Sequence, residues 1–272
     1  MSKIMKEKVV DYFSLDQICE SGQCFRMRKT KDYYEVIAGD RFLQVGQEGN
    51  RIQFYCEEKE YEEFWKKYFD LETDYGSYMK MIDPKDRYLV KAAEFGSGIR
   101  ILKQDLWEMI VSFLISQQNN IRRIRFCIEN LCKAYGEEKR SAGKTYYAFP
   151  KPKDLAQLGE DDLKACNLGY RSKYVVRTAK MITEEKVSLE EIKLMPYIEA
   201  REELMKLYGV GGKVADCICL FALHQMEAFP VDTHIRQALE QNYPEGFPMG
   251  TYPDCQGIMQ QYIFYQELKG DK

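Results

Sequence analysis

Two residues of the chain, Lys213 and Asp232, have side chains that could act together on a substrate. Lys213 ends the run GVGGK, and Asp232 lies nineteen residues later in the run PVDTH. A lysine attacks only as the free amine, and we expect Lys213 at a helix N-terminus, where the helix dipole favours the uncharged form. A fixed carboxylate in a dry site stabilises positive charge that develops during a reaction. The pair therefore predicts attack by an amine with help from a carboxylate.

Each of these two side chains also has a plainer interpretation. Lys213 in its glycine-rich setting is about equally typical of a solvated lysine at a helical corner. Asp232 follows Pro230 and precedes an expected helix start at Thr233, and an aspartate in that position is more often a simple helix cap. The chemistry therefore depends on the sequence around the two residues.

The segment that precedes the lysine predicts two helices joined by a glycine-rich turn. Gly209 suits a left-handed cap at the end of the first helix, and Gly211 and Gly212 open the second. The N–H groups at the start of the second helix point outward, so this helix-hairpin-helix can hold a phosphate without an excess of lysine. A P-loop and a dinucleotide fingerprint are excluded, because Leu207 and Val214 stand where those motifs need other residues.

The first third of the chain predicts an antiparallel sheet. The runs 33–39, 41–47 and 51–58 alternate apolar and polar residues, with turn signals at Gly39-Asp40 and Gly49-Asn50 between them. Helical spacing of aromatic residues follows over 60–71.

The remainder of the chain is almost wholly helical in pattern. We expect Asp105 and Asn120 to cap two helices, and further helices are indicated at 153–157, 160–166, 171–185, 188–193 and 197–208. The run GSG at 96–98 marks a domain boundary. The predicted fold is α+β: an antiparallel-sheet N-terminal domain with flanking helices over 1–95, packed on a helical bundle with the helix-hairpin-helix over 96–272.

The composition excludes several classes of protein. The 272 residues are 45% hydrophobic and 31% charged, which is typical of a folded protein with a full core. No apolar run reaches the roughly 18 residues of a membrane helix, so we expect a cytoplasmic protein with no membrane partner. Nine scattered cysteines and two histidines argue against disulfides and a metal centre. The net charge of −3 means that any DNA binding must rest on local clusters and backbone amides.

Four separated segments together resemble the 8-oxoguanine DNA glycosylases of the helix-hairpin-helix Gly/Pro-Asp base-excision superfamily. They are SGQCFRM (21–27), NLGYRSKYV (167–175), GVGGKVADCICL (209–220) and PVDTH (230–234). The resemblance implies a bifunctional glycosylase and abasic-site lyase that flips 8-oxoguanine out of duplex DNA and excises it. It assigns Lys213 as the nucleophile that forms a Schiff base and Asp232 as the carboxylate that assists departure of the base. β-Elimination at the abasic site would then nick the strand.

The resemblance also implies how the flipped base is held. The base would lie between Cys217 and Phe264, with the amide of Gln260 at its Watson–Crick edge. The main-chain carbonyl of Gly22 would accept the N7 hydrogen that 8-oxoguanine carries and guanine lacks. Such a test discriminates strongly, because the wrong base leaves a buried acceptor unpaired. Core packing is the alternative interpretation of Cys217 and Phe264 taken singly, and Gln261 lies beside Gln260.

The remaining implied roles concern the DNA and an ion. Arg123 and Arg171 would hold the orphaned cytosine, Tyr170 would act as the wedge, and His234 would contact a phosphate. Gln118 and Asn119 would fill the gap, and the hairpin glycines Gly209, Gly211 and Gly212 would bind the backbone. The main-chain carbonyls of Met205, Leu207 and Val210 would bind a monovalent cation, and no cofactor is required.

This sequence departs from the family pattern at two positions that matter. Tyr208 stands where proline commonly enters the hairpin, and Gln118 stands where a gap-filling asparagine is expected, so the stringency for cytosine is open. We expect a monomer that acts on the bacterial or archaeal nucleoid. Two alternatives stay open: a helix-hairpin-helix DNA-binding protein without chemistry, and a related glycosylase for another oxidised base.

Overall fold

The computed structural model describes residues 6–270, and within them a five-stranded antiparallel sheet stands beside a helical bundle. The sheet has the strand order β1-β5-β4-β3-β2. Its strands are β1 (Lys6–Val9), β2 (Met27–Lys29), β3 (Tyr34–Ala38), β4 (Arg41–Glu48) and β5 (Arg51–Tyr55). The α+β prediction is confirmed, and so is the sheet built from the three alternating runs.

Two glycine turns fix the register of the three central strands. Gly39 (φ +58°) and Gly49 (φ +59°) adopt the left-handed conformation that the tight β3-β4 and β4-β5 connections need. As a result Val36 pairs with Leu43, and Val45 with Phe54. These side chains are buried together on one face of the sheet.

One helix lies between β1 and β2 and the others follow β5, and two of them begin at the predicted capping residues. The first set comprises α1 (Leu15–Glu20), α2 (Glu58–Glu60), a π-helical turn (Tyr61–Trp65), α3 (Lys66–Tyr68), α4 (Tyr75–Met81), α5 (Arg87–Phe95), α6 (Leu106–Ser116) and α7 (Ile121–Tyr135). The side chains of Asp105 and Asn120 accept the N–H groups of Glu108 and Arg123, at 2.8 and 2.9 Å. Both expected caps are thus confirmed.

The second set carries the predicted hairpin. It comprises α8 (Pro152–Ala156), α9 (Ser172–Thr183), α10 (Leu189–Ile192), α11 (Tyr197–Met205), α12 (Gly212–Phe221), α13 (Thr233–Asn242) and α14 (Gln256–Lys269). Three 3₁₀ turns occur at Glu160–Cys166, Gly169–Arg171 and Met249–Thr251. No helix in the described part of the chain is long and apolar enough to cross a membrane.

A second small sheet was not predicted. Strands β6 (Glu138–Ser141) and β7 (Lys144–Tyr147) form a hairpin with Ala142 and Gly143 at its turn, both with positive φ. The segment 138–147 is polar and highly charged, so it lacks the apolar alternation that identifies a strand. Side chains of the hairpin contact the first sheet instead, where Lys144 forms an ion pair with the buried Glu35.

The buried side chains form two clusters that do not divide at residue 95. The smaller cluster fills the space between the five-stranded sheet and the helices over 58–68. The larger cluster fills the helical bundle and already includes Tyr75, Leu89 and Ala92, because α5 packs against α14. Helices α4 and α5 therefore pack with the bundle, and the domain limits at 95 and 96 stay a prediction.

Buried polar side chains join the two parts of the chain. The guanidinium of Arg100 donates to the carbonyls of Asp11, Tyr12, Asp70 and Thr73. The amide of Gln23 donates to the Arg100 carbonyl at 2.9 Å, and its oxygen accepts the Leu102 N–H at 2.9 Å. These bonds fix the segment around residue 22 against the bundle.

Candidate active site

One pocket brings together the predicted nucleophile, the predicted carboxylate and the predicted base-binding residues. It lies between the segment that follows α1, the start of α12, the start of α13 and the middle of α14. Its lining residues are Ser21, Gly22, Phe113, Lys213, Cys217, Phe221, Pro230, Asp232, Gln260, Gln261 and Phe264. Residues that are far apart in sequence thus meet in one place, as catalysis on an extruded base requires.

Lys213 stands one residue after the start of α12, and its Nζ lies 5.8 Å from the centroid of the Phe113 ring. The Cys217 side chain raises the pKa of Lys213, burial of the amine opposes this rise, and the Asp232 carboxylate adds to it. The net pKa is above that of an ordinary lysine, which is opposite to the direction expected from the helix dipole. Lys213 must therefore lose a proton before it can attack.

Asp232 caps α13 and also faces Lys213. Its Oδ1 accepts the N–H of Ile235 at 2.9 Å, so the predicted cap is confirmed. The carboxylate is half-buried and contributes to the rise in the Lys213 pKa. Asp232 is therefore both a helix cap and a carboxylate next to the lysine, which the sequence suggested as alternatives.

Cys217 and Phe264 both line the pocket. Cys217 is buried one helical turn after Lys213, and burial raises the pKa of its thiol. Gly22 has φ +74°, and a Cβ atom at this position would lie 3.0 Å from Cε1 of Phe264. Only glycine therefore lets the 21–22 segment approach the Phe264 ring at its present position.

The two adjacent glutamines of α14 are both buried at the pocket. Gln260 donates from Nε2 to the Pro230 carbonyl at 2.9 Å, and its Oε1 accepts from Nε2 of Gln261 at 3.1 Å. Gln261 was not predicted to belong to the site. Gln261 belongs to the site through hydrogen bonds that run from its amide to Gln260 and on to the Pro230 carbonyl. The sequence does not reveal such bonds.

The hairpin has the predicted left-handed glycine. Gly209 has φ +90°, and a Cβ atom there would lie 2.6 Å from Cγ of Tyr174. Only glycine therefore leaves room for the Tyr174 ring. The carbonyls of Tyr208 and Gly209 accept from Thr178 Oγ1 and Gln117 Nε2, both at 3.0 Å. The Tyr208 ring lies tilted against the Tyr174 ring, with ring centroids 5.7 Å apart.

The residues expected to read the opposite strand differ in exposure. Arg171 is 4% exposed, and its guanidinium donates to the carbonyls of Leu168, Gln117 and Gln118. It therefore holds the turn after α6 in this structure and has little donor capacity to spare. Tyr170 is 44% exposed, with the Arg171 guanidinium 4.5 Å from its ring centroid.

The other expected DNA contacts are exposed or half-buried side chains. Arg123 and His234 are exposed, and the His234 ring centroid lies 6.1 Å from that of Phe264. Gln118 has φ +48° and is exposed, while Asn119 donates to the Ile115 carbonyl at 3.1 Å. These positions are compatible with the expected roles, which stay predictions.

The expected cation site would use three carbonyls of the hairpin. Of Met205, Leu207 and Val210, the Leu207 carbonyl accepts the Val210 N–H at 3.1 Å, which closes the turn. Between residues 6 and 270 no group of three His, Cys, Asp or Glu side chains could hold a metal ion. All nine cysteines are free thiols, as expected.

Comparison with known proteins agrees with this geometry. Residues 4–110 match the model of the 8-oxoguanine DNA glycosylase N-terminal domain, and residues 111–245 match that of the HhH-GPD superfamily base excision DNA repair proteins. A solved 8-oxoguanine glycosylase/lyase of Clostridium acetobutylicum, in complex with DNA containing cytosine opposite 8-oxoguanine, is 37% identical. The two structures align with a TM-score of 0.90 over 97% of this chain and 98% of that one.

Two eukaryotic relatives match over shorter spans. An N-glycosylase/DNA lyase of Saccharomyces cerevisiae is 36% identical over 172 residues, which are 59% of this chain and 45% of the yeast protein. An N-glycosylase/DNA lyase of Arabidopsis thaliana is 30% identical over 231 residues, 80% of this chain and 62% of that protein. The match therefore spans less than two thirds of either relative. With both family models matched in order and the fold aligned over nearly its whole length, the chain belongs to the 8-oxoguanine DNA glycosylase family of the HhH-GPD superfamily.

Proposed function

We propose that this protein excises 8-oxoguanine from duplex DNA and then nicks the abasic strand. The observation that carries the proposal is the single pocket in which Lys213, Asp232 and Gly22 meet. A DNA-binding module without chemistry needs only the hairpin glycines, and it has no need for a lysine and a carboxylate in a pocket. The named activity of the Clostridium relative supports the same substrate.

The reaction follows from the groups in the pocket. Once deprotonated, Nζ of Lys213 attacks C1′ of the extruded nucleotide, the C1′–N9 bond breaks, and the bonding pair leaves with the base, which takes up a proton. Asp232 stabilises the positive charge that develops on the sugar. Opening of the sugar ring gives a Schiff base, and loss of a proton from C2′ then expels the 3′ phosphate.

The base is held by surfaces already described. Its faces would contact the thiol of Cys217 and the ring of Phe264, and Gln260 would face its Watson–Crick edge. The Gly22 carbonyl would accept the N7 hydrogen of the oxidised base. An unoxidised guanine would leave that carbonyl unpaired, which makes binding of the wrong base unfavourable.

The DNA duplex would be held on the surface around the pocket. The N–H groups at the start of α12 and the side chain of His234 would bind the backbone of the damaged strand. A monovalent cation on the Met205, Leu207 and Val210 carbonyls would support the same phosphate. Arg123 would lie at the orphaned cytosine, and Tyr170 at the gap that the extruded base leaves in the duplex. We infer that the protein is a monomer and that it acts on the DNA of the cell.

Borohydride trapping tests the proposal directly. A duplex with 8-oxoguanine opposite cytosine is incubated with the protein and borohydride, which reduces the Schiff base to a stable covalent adduct. We expect an adduct with the wild type, none with Lys213→Gln, and an undiminished adduct with Lys206→Gln, whose exposed lysine pairs with Glu203. Lesion DNA should still bind to Lys213→Gln. An adduct with Lys213→Gln, or base release from an undamaged guanine–cytosine duplex at the same rate, would overturn the proposal.

A further inference from the structure

Gln261 has a buried hydrogen-bond acceptor at the base pocket with no donor to satisfy it. The side chain is 2% exposed and lines the pocket next to Gln260. Its Oε1 has no hydrogen-bond partner among residues 6–270. Buried acceptors in proteins are nearly always paired, so an unpaired acceptor at a binding pocket indicates that a ligand supplies the donor.

The orientation of the Gln261 amide is set by its neighbours. The Pro230 carbonyl can only accept, so the group of Gln260 that lies 2.9 Å from it must be the NH₂ group. The oxygen of Gln260 then faces Gln261 at 3.1 Å, which requires the NH₂ group of Gln261 on that side. The oxygen of Gln261 is therefore the atom left without a partner.

The two amide oxygens match the donors of a guanine-type edge. The Watson–Crick edge of 8-oxoguanine presents two neighbouring donor groups, N1–H and the 2-amino group. Gln260 Oε1 uses one acceptor position for Gln261 and retains another, while both positions of Gln261 Oε1 are free. One donor for each oxygen would satisfy the pocket, whereas an adenine-type edge offers an acceptor at N1 and leaves an oxygen unpaired.

We propose that Gln261 is a specificity-determining residue whose Oε1 accepts a hydrogen from the 2-amino group of the extruded base. This inference rests on the proposed function, and it adds a third residue to Gly22 and Gln260 in the recognition of the base. It makes the 2-amino group a requirement for fast excision. The analogue that lacks only this group is 8-oxohypoxanthine, which retains the N7 hydrogen, the 8-oxo group and N1–H.

The experiment compares these two bases in the same duplex opposite cytosine. Single-turnover rates of base release are measured for wild type, Gln261→Met and Gln266→Met. Methionine has nearly the size of glutamine but offers no comparable acceptor. Gln266 is the matched control, because it also lies on α14 with an unpartnered buried Oε1 but does not line the pocket.

We expect the wild type to release 8-oxoguanine about tenfold faster than 8-oxohypoxanthine, since the analogue leaves one buried acceptor unpaired. Gln261→Met should bring this ratio close to one, mainly by slowing release of 8-oxoguanine, and Gln266→Met should keep it. Thermal melting establishes that each variant is folded. A wild type that releases both bases equally fast would overturn the inference without any variant.

A second outcome would also overturn the inference: Gln261→Met that slows both bases by the same factor, with the tenfold ratio intact. In that case Gln261 would only support Gln260. Either result leaves the proposed function standing, because 8-oxoguanine is still excised. A wild type that releases neither base would instead contradict the proposed function.

Discussion

The side-chain amide of Gln117 donates from Nε2 to the carbonyl of Gly209 over 3.0 Å. The main-chain carbonyl of the same residue accepts from Nε of Arg171 at 2.8 Å. One residue at the end of α6 thus connects the hairpin that carries Lys213 with the turn that carries Tyr170 and Arg171. The two connected segments are expected to face the damaged strand and the opposite strand of the duplex.

Gln117→Met should therefore weaken catalysis more than folding. The change removes the bond to Gly209 but leaves the main-chain carbonyl that Arg171 uses. We expect base release from 8-oxoguanine opposite cytosine to slow about tenfold, with a loss of roughly 1 kcal/mol in the free energy of unfolding. Gln157→Met is the control, because that amide donates only to Lys153 of its own helix. Equal single-turnover rates for Gln117→Met and wild type would refute the connection.

Asp232→Asn should separate the cap from the carboxylate charge. Asparagine still accepts the Ile235 N–H, so the melting temperature should hardly change. The rate of base release should fall about a hundredfold, because an amide cannot balance the positive charge on the sugar. Asp232→Ala should show the same loss of rate and an additional loss of about 1 kcal/mol in stability. Unchanged turnover of Asp232→Asn would reduce Asp232 to a cap.

The raised pKa of Lys213 predicts a pH dependence of the chemical step. The ammonium form dominates at neutral pH, and the reactive amine becomes more abundant as pH rises towards the pKa. Base release under single-turnover conditions should therefore accelerate with pH, by up to about tenfold per unit, before it reaches a plateau. A rate that is constant between pH 6 and pH 9 would show that proton loss from Lys213 does not limit the reaction.

Asp70 should contribute to stability through its contacts with both parts of the chain. Its carboxylate lies 2.7 Å from Lys103 Nζ and 3.2 Å from His224 Nε2, and it accepts from the Tyr75 hydroxyl at 3.0 Å. Burial opposes ionisation of Asp70, but His224 and Lys103 outweigh it and hold the pKa well below its usual range. Asp70→Asn should cost about 3 kcal/mol in the free energy of unfolding, because it leaves the partners of a buried carboxylate uncompensated.

The sign of the pH effect at Asp70 follows from the lowered pKa. The stabilisation is present above the pKa of an unfolded aspartate, about 3.9, and is lost as pH falls below it towards the folded pKa. Denaturant melts at pH 7 and pH 3 should show a smaller difference for Asp70→Asn than for wild type. Asp40→Asn, which breaks an exposed pair with Lys139, should cost less than about 1 kcal/mol. Equal costs for the two variants would contradict the role of burial.

Arg123 and Arg171 should give different results when each is replaced by alanine. Arg123 is exposed, with the Cys127 thiol as a nearby partner. We expect it to meet the orphaned cytosine, so Arg123→Ala should lose roughly 1–3 kcal/mol of discrimination between cytosine and adenine. Arg171→Ala should lose stability instead, because three main-chain carbonyls each lose the guanidinium as a donor. Single-turnover rates on the four base pairs and thermal melts measure both effects, with Arg122→Ala as the exposed control. An equal loss of rate on every pair would assign Arg123 to phosphate binding.

Local sequence signals predicted much of the fold because each acts over a few residues. Gly39 and Gly49 mark turns, Asp105 and Asn120 mark helix starts, and Gly209 marks a left-handed cap. The β6-β7 hairpin escaped prediction because its strands are polar and gain their partners from distant residues. The same limit applies to α5, whose pattern is helical but whose packing partner, α14, lies at the far end of the described chain.

The site could be predicted in its members but not in its interactions. Lys213, Asp232, Gly22 and Phe264 were identified through sequence segments, and the structure places them around one pocket. The raised pKa of Lys213 was not predictable, because it depends on the distance to Cys217 and Asp232 in space. Gln117 and Gln261 were missed for a related reason, since their importance lies in long-range hydrogen bonds that no local motif encodes.

The position of the pocket lining along the chain has a consequence for protein synthesis. Gly22 emerges from the ribosome early, the hairpin and Lys213 follow much later, and Phe264 comes later still, on α14. A nascent chain that has been made only as far as α12 carries Lys213 but lacks Asp232, Gln260 and Phe264. Translation therefore produces the lysine before these three residues of the pocket, and the pocket is complete only when α13 and α14 have folded against the bundle.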